Sequence, residues 1–260
     1  MFPISDDNSD RHLTPMVNYV LIAINILVFI FLQGMGNNYG FTYAFSTVPA
    51  EILTGQDIIT QGEIFVDPNT GQRFQLPGLQ ATPVHVWFTL FTSMFMHGGW
   101  GHLAGNMLFL WIFGDNIENR LGHIRYLLFY IICGLLASLS HVFSTYLVAQ
   151  NTLIPSLGAS GAISGVMGAY LILFPKRKVN VLLLRFIVAV PALVALGFWI
   201  AFQIISGLGV FGGGESGGVA YAAHIGGFIA GMLLIKIFDK GQSYVDENLA
   251  RQRDRRSQFY

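Results

Sequence analysis

Four polar residues stand in stretches that are otherwise apolar or glycine-rich, and their types suit nucleophilic attack on a carbonyl. Ser160 lies in Gly158-Ala159-Ser160-Gly161, at the start of an apolar run ending at Pro175. A serine used this way needs a base to take its proton, and donors to hold the charge that builds on the attacked oxygen. His224, in Ala223-His224-Ile225-Gly226-Gly227, is the candidate base. His102 and Asn106, one helical turn apart and so on one face, are candidate donors. Each also has a plainer use. Small residues such as Ser160/Ser164 and Gly161/Gly165 serve packing in membrane helices, Asn106 would serve as interhelical glue, and His102 would face lipid headgroups. His224 counts for more, because an ionisable residue inside an apolar span is a functional candidate by default.

The elements that must carry these residues are membrane helices. The 260 residues are 53% hydrophobic and 11% charged, where soluble domains have about a quarter charged. Six apolar segments approach the roughly 20 residues a bilayer crossing needs: Met16 to Leu32, about Gly101 to Ile117, Tyr126 to Val148, Ala159 to Phe174, Val179 to Ile205 and Val219 to Phe238. They run continuously rather than alternating, which favours helices over a barrel. With six spans, Arg120, Arg125, Lys176, Arg177, Lys178, Arg185, Lys236, Lys240 and the arginines of the tail all fall on one side. Arg73 stands on the other, with Glu51, Asp57, Glu63, Asp67 and Glu215. The bias toward basic cytoplasmic loops then puts both termini inside.

The expected organisation is a cytoplasmic segment, 1–15, a six-helix membrane domain, 16–239, and a cytoplasmic tail, 240–260. The large external loop, about Gly34 to Val86, should contain an interfacial stretch, Tyr39 to Leu53, and a β-hairpin from Ile64-Phe65-Val66 and Arg73-Phe74-Gln75-Leu76 around a Pro/Asn/Gly turn. The loop Gly207 to Gly218, with Gly212-Gly213-Gly214, should be mobile. Asp6, Asp7 and Asp10 against Arg11 have the wrong sign for a signal peptide. Cys133 reads as a small buried hydrophobe. A formal net charge of zero and the lack of a basic aromatic-rich cluster give no indication of nucleic acid, and no metal or cofactor is implied.

Depth brings the polar residues together. The fourth segment, at about 16 residues, spans about 24 Å and falls short of a core of about 30 Å. Anchored inside by Lys176–Lys178, it would leave Ser160 below the outer surface, level with His224, His102 and Asn106. Gly227 and Gly231 form a G-x-x-x-G ridge that would press the sixth segment against the glycines of the fourth, Gly161 and Gly165. No Asp or Glu falls in the outer half of any segment, so a carboxylate partner for His224 is lacking. Ser138, Ser140, His141, Ser144 and Thr145 would either wet the cavity or serve structure.

His97-Gly98-Gly99-Trp100-Gly101-His102-Leu103-Ala104-Gly105-Asn106, Glu118-Asn119-Arg120, Gly158-Ala159-Ser160-Gly161 and Ala223-His224 with Gly227 and Gly231 together resemble the rhomboid family of intramembrane serine proteases, prokaryotic type. The resemblance runs from Met16 to Phe238. It implies an all-α, six-helix bundle with both termini inside, in the cell membrane. It implies a Ser160–His224 dyad, with an oxyanion held by His102, Asn106 and the Ser160 amide beside Gly158. Glu118 and Arg120 would pin the cytoplasmic end of the second span. Substrates would be single-pass or polytopic membrane proteins, cut near the outer leaflet after local unwinding and after a small residue. Two departures stand out. Ser164 occupies the position that in some members is an aromatic stacked on the base, and the Trp-Arg pair some members carry in the outer loop is missing. The fifth span, with Phe186, Phe198, Trp199 and Phe202, is the candidate moving gate. The competing readings are a silent relative that binds or escorts transmembrane clients, and a transporter. Against the transporter, there is no second broken span and no inverted repeat.

Overall fold

The computed structural model of the protein describes residues 2–66, 73–208 and 220–239. The 67–72 turn, most of the glycine-rich loop and the tail from Lys240 lie outside the described residues. Strand β1 (Phe2–Asp6) comes first, then helix α1 (Met16–Leu27), which continues as a π-helical turn over Val28–Leu32. Two short helices follow, α2 (Tyr39–Ala44) and α3 (Pro49–Thr54), then strands β2 (Glu63–Val66) and β3 (Arg73–Leu76). A helical stretch over Val86–Phe95 includes α4 (Thr89–Thr92). The long helices are α5 (Trp100–Leu121), α6 (His123–Leu147) and α7 (Ser160–Leu173). Strands β4 (Lys178–Leu183) and β5 (Phe186–Pro191) lead into α8 (Ala192–Gly207), and α9 (Tyr221–Phe238) closes the described chain.

Helix α7 is the axis of the bundle. Every residue from Gly161 to Tyr170 is buried, and the helix packs against α5, α6 and α9. Its small residues allow this, because their neighbours can approach almost to backbone contact. A Cβ on Gly227 would stand 2.1 Å from the Gly161 carbonyl oxygen, and one on Gly231 would stand 1.9 Å from that of Gly165. From the other helix, a Cβ on Gly168 would meet the Phe228 carbonyl oxygen at 2.1 Å. Cys133 of α6 is buried and free, filling the groove beside Gly165.

Polar side chains are buried beside the apolar core, and large apolar side chains face outward. Asn18, Asn25, Gln33, His97 and Glu118 are fully buried, while Phe143, Leu147, Leu233 and Ile237 are exposed. In lipid this is the economical arrangement, since polar groups must find partners inside. Tyr126 Oη donates to Asn18 Oδ1, and Asn18 Nδ2 donates to the Leu110 carbonyl, joining α1, α5 and α6. Helices α6 and α9 are each long and apolar enough to cross a bilayer, and Met16–Leu32, α7 and α8 are shorter apolar helices.

Glu118 and Arg120 knit the end of the bundle away from Ser160. The Glu118 carboxylate accepts from the Val17 and Asn18 amides at the start of α1 and pairs with His123 of α6. An acid at a helix N-terminus answers the free N–H groups and the dipole there. Arg120 donates through Nε and a terminal nitrogen to Asp239, just past α9.

The expectation of an all-α bundle is corrected in one region. Residues 178–191, read from sequence as the first half of a fifth span running from Val179 to Ile205, form the β4–β5 hairpin, with Leu183 paired to Phe186. Helix α8 holds the remainder. Val179 and Val181 are buried while Lys178 and Leu182 are exposed, a period-two pattern. Pro191 forces Val190 toward extended backbone and starts a fresh helix at Ala192. Phe186, expected on the gate helix, therefore lies on β5. Strand β1 completes the sheet, pairing Phe2 with Leu182 and Asp6 with Val179. It packs along α5, while β4 and β5 pack on α8. Asp6 Oδ2 accepts from Tyr170 of α7 and Asn116 of α5. Burial pushes its carboxyl up to about 7, which fits an acid whose second oxygen has no partner.

Candidate active site

The start of α7 is held from several sides. The loop before it bridges to the segment between α2 and α3, through Thr47 N to Ser156 O at 2.9 Å and Ser156 N to Thr47 O at 2.8 Å. Thr47 Oγ1 donates to Ser93 Oγ, and the Gly158 amide donates to the Ser93 carbonyl. The stretch expected to lie in an interface thus acts as a clamp on the approach to Ser160. Gly158 has φ +125°, where L side chains are strained, and a Cβ there would stand 2.8 Å from the His102 ring.

Ser160 and His224 meet. Ser160 Oγ lies 2.8 Å from His224 Nε2, and His224 Nδ1 lies 2.8 Å from Gln203 Oε1 on α8. An amide oxygen can only accept, so Nδ1 carries the proton of a neutral imidazole. That leaves the Nε2 lone pair to accept from the Ser160 hydroxyl. A neutral imidazole bonded in this way is equipped to take the serine proton.

His102 and Asn106 face the same space from α5. The Gly98 amide donates to His102 Nδ1, which places the proton of a neutral His102 on Nε2, the atom beside Gly158. Asn106 Nδ2 donates to His97 Nε2 at 3.0 Å, and its second N–H remains for another acceptor. His97 is itself fixed by Gln33, which accepts from its amide and donates to its carbonyl. Gly98, His102, Asn106, Ser156, Ser160 and His224 all line one cavity of about 570 Å³. That falls within the roughly 300–1,000 Å³ range of ligand sites.

The sequence assigns no role to Gln203, His97 or Gln33, and it places Trp199 only on the candidate gate. The Trp199 ring lies 5.9 Å from that of His224, tilted by 38°. Ser164 donates to the Ser160 carbonyl. Of the polar residues on α6 considered as a water route, Ser140 and Thr145 bond to carbonyls of their own helix, and none of the five lines the cavity. Among the described residues no group of three or more His, Cys, Asp or Glu side chains could hold a metal.

Residues 84–240 match the family model of the rhomboid domain. The chain belongs to the rhomboid family, whose members are multi-pass helical membrane proteins. It is 33% identical over 188 residues to the mitochondrial Rhomboid protein 1 of Saccharomyces cerevisiae, covering 72% of this chain and 49% of the relative. It is 32% identical over 211 residues to the rhomboid protease GluP of Bacillus subtilis, covering 80% of this chain and 35% of the relative. Similarity to the rhomboid protease AarA of Providencia stuartii is 32% over 163 residues, with 57% and 54% covered. The chain thus spans about a third to a half of the length of these curated relatives.

Proposed function

We propose that the protein is an intramembrane serine endopeptidase that cuts transmembrane segments of other membrane proteins. The observation that carries this reading is the 2.8 Å contact between Ser160 Oγ and His224 Nε2 in a cavity that His102 and Asn106 also line. Ser160 attacks the scissile carbonyl as His224 takes its proton. The His102 Nε2–H, the free Asn106 N–H and the Ser160 amide receive the oxyanion. His224 then returns the proton to the departing amine, and water reverses the sequence on the acyl-enzyme. Ser160 is the first residue of α7, and the first amides of a helix lack intrahelical partners, so its N–H suits an anion.

The chain crosses the membrane six times, through α1 with its π-turn, α5, α6, α7, α8 and α9, with both termini cytoplasmic, in the cell membrane. The basic residues between spans and the apolar outward faces support this arrangement. Helix α7 has 14 residues, about 21 Å of helix, so Ser160 lies below the outer headgroups. Substrates are helices that unwind locally, because a peptide bond must be extended to reach Ser160.

The test is labelling of purified protein with a fluorescent fluorophosphonate, alongside cleavage of a single-pass substrate in proteoliposomes, with Ser160→Ala as the blank. Labelling and cleavage that both vanish in the blank support the enzyme. Intact protein that binds the substrate but neither labels nor cleaves it supports the silent, client-binding alternative. Asn106→Ala should lower kcat by about 10²-fold with little change in KM, the usual loss for one oxyanion donor. An unchanged initial rate would remove Asn106 from the site.

A further inference from the structure

We propose that α8 is the arm that holds the general base, with Gln203 and Trp199 as its two positioning residues. The inference rests on the Ser160–His224 reading and adds to it. Gln203 is 6% exposed, and its Oε1 accepts from His224 Nδ1 at 2.8 Å. Trp199, one helical turn earlier on the same face, lays its ring beside the imidazole and also against Phe228 on α9. The imidazole is thus held at an edge and along a face by residues four apart on one helix. The neighbouring turn of α7 makes no equivalent provision, since Ser164 spends its hydroxyl on the Ser160 carbonyl.

The chemistry of the two contacts differs. The amide oxygen sets the tautomer: without an acceptor at Nδ1, the proton can move to Nε2, and the ring then cannot accept from Ser160. The indole limits rotation of the ring about its Cβ–Cγ bond. Both contacts come from α8, whereas nucleophile and base stand on α7 and α9. A displacement of α8 therefore releases His224 even when α7 and α9 do not move. Alignment of the base and seating of α8 are one event.

Three variants separate this role from packing. Gln203→Met keeps the volume and removes the acceptor, Gln203→Glu keeps the acceptor and removes the donor, and Trp199→Leu removes the indole. Each is purified with wild type and Ser160→Ala, checked for equal thermal unfolding, and assayed for kcat, KM and fluorophosphonate labelling rate. Gln203→Met should lose about 10²-fold in kcat and in labelling at near-constant KM, the scale of a misplaced catalytic group. Gln203→Glu should recover most of that loss, and Trp199→Leu should fall between. Wild-type kcat in Gln203→Met, or an equal loss in Gln203→Glu, would overturn the assignment. Activity in wild type that is absent in Ser160→Ala keeps that outcome separate from failure of the protease reading itself.

Discussion

His224→Ala should lower the rate of transmembrane-substrate cleavage by roughly 10⁴ to 10⁶, as loss of a base does in soluble serine proteases. The reason is visible at a single contact. Ser160 Oγ has His224 Nε2 at 2.8 Å, and among the described residues no carboxylate shares the cavity lining to substitute for it. A neutral hydroxyl in a water-poor site is a poor nucleophile, so the fluorophosphonate reaction should fall with the cleavage. Residues acting as a unit are not additive. The Ser160→Ala/His224→Ala double variant should therefore be no slower than either single one. A double variant that multiplies the two losses would mean that the residues act separately, and the dyad would be abandoned.

Gly231→Val should abolish activity by a different route, leaving all polar groups in place. A Cβ at 231 would lie 1.9 Å from the Gly165 carbonyl oxygen and 2.6 Å from its carbon. These are backbone atoms of a buried helix and cannot rotate aside, so α9 must move away from α7. The Ser160–His224 bond spans those two helices, and a shift of about 1 Å in a reacting group costs about a hundredfold. Valine is more apolar than glycine, so insertion into the membrane should be undiminished. Cleavage per inserted molecule is the measurement, with Gly197→Ala as control, because a Cβ there has nothing within 4 Å. Wild-type turnover in Gly231→Val would remove close helix packing from the account of the site.

The legible part of the site was the part written in residue types that are costly in a membrane. His224, His102 and Asn106 stand out in apolar runs because burying them demands partners, and the four-residue spacing of Gly227 and Gly231 marks a surface for close approach. Gln203 bears the same kind of mark, a lone amide among Phe202, Ile204 and Ile205. It carried no sign of its partner, because nothing in the spacing fixes which face of one span meets another. His97 was passed over because its contact with Asn106 depends on a loop folded by Gln33, sixty-four residues away. The hairpin at 178–191 was misread for a simpler reason. Valine, leucine and phenylalanine in series suit a buried helix and a strand alike, and the internal Pro191 was the cue that separated them. Strand β1 had no local cue, since five residues show whether they are a strand only when a neighbour pairs with them.

That first strand bears on how the molecule is put together. Its hydrogen-bonding partners on β4 come after α1, α5, α6 and α7 in the chain, so during synthesis it must wait, unpaired, while those helices are made. Pairing over such a sequence distance comes late in assembly. By then β1 fastens α5, the β4–β5 hairpin and, through Asp6 and Tyr170, the far end of the helix that begins with Ser160. The strand works as a closing clasp, and the bundle can be complete in helices before it is complete in shape.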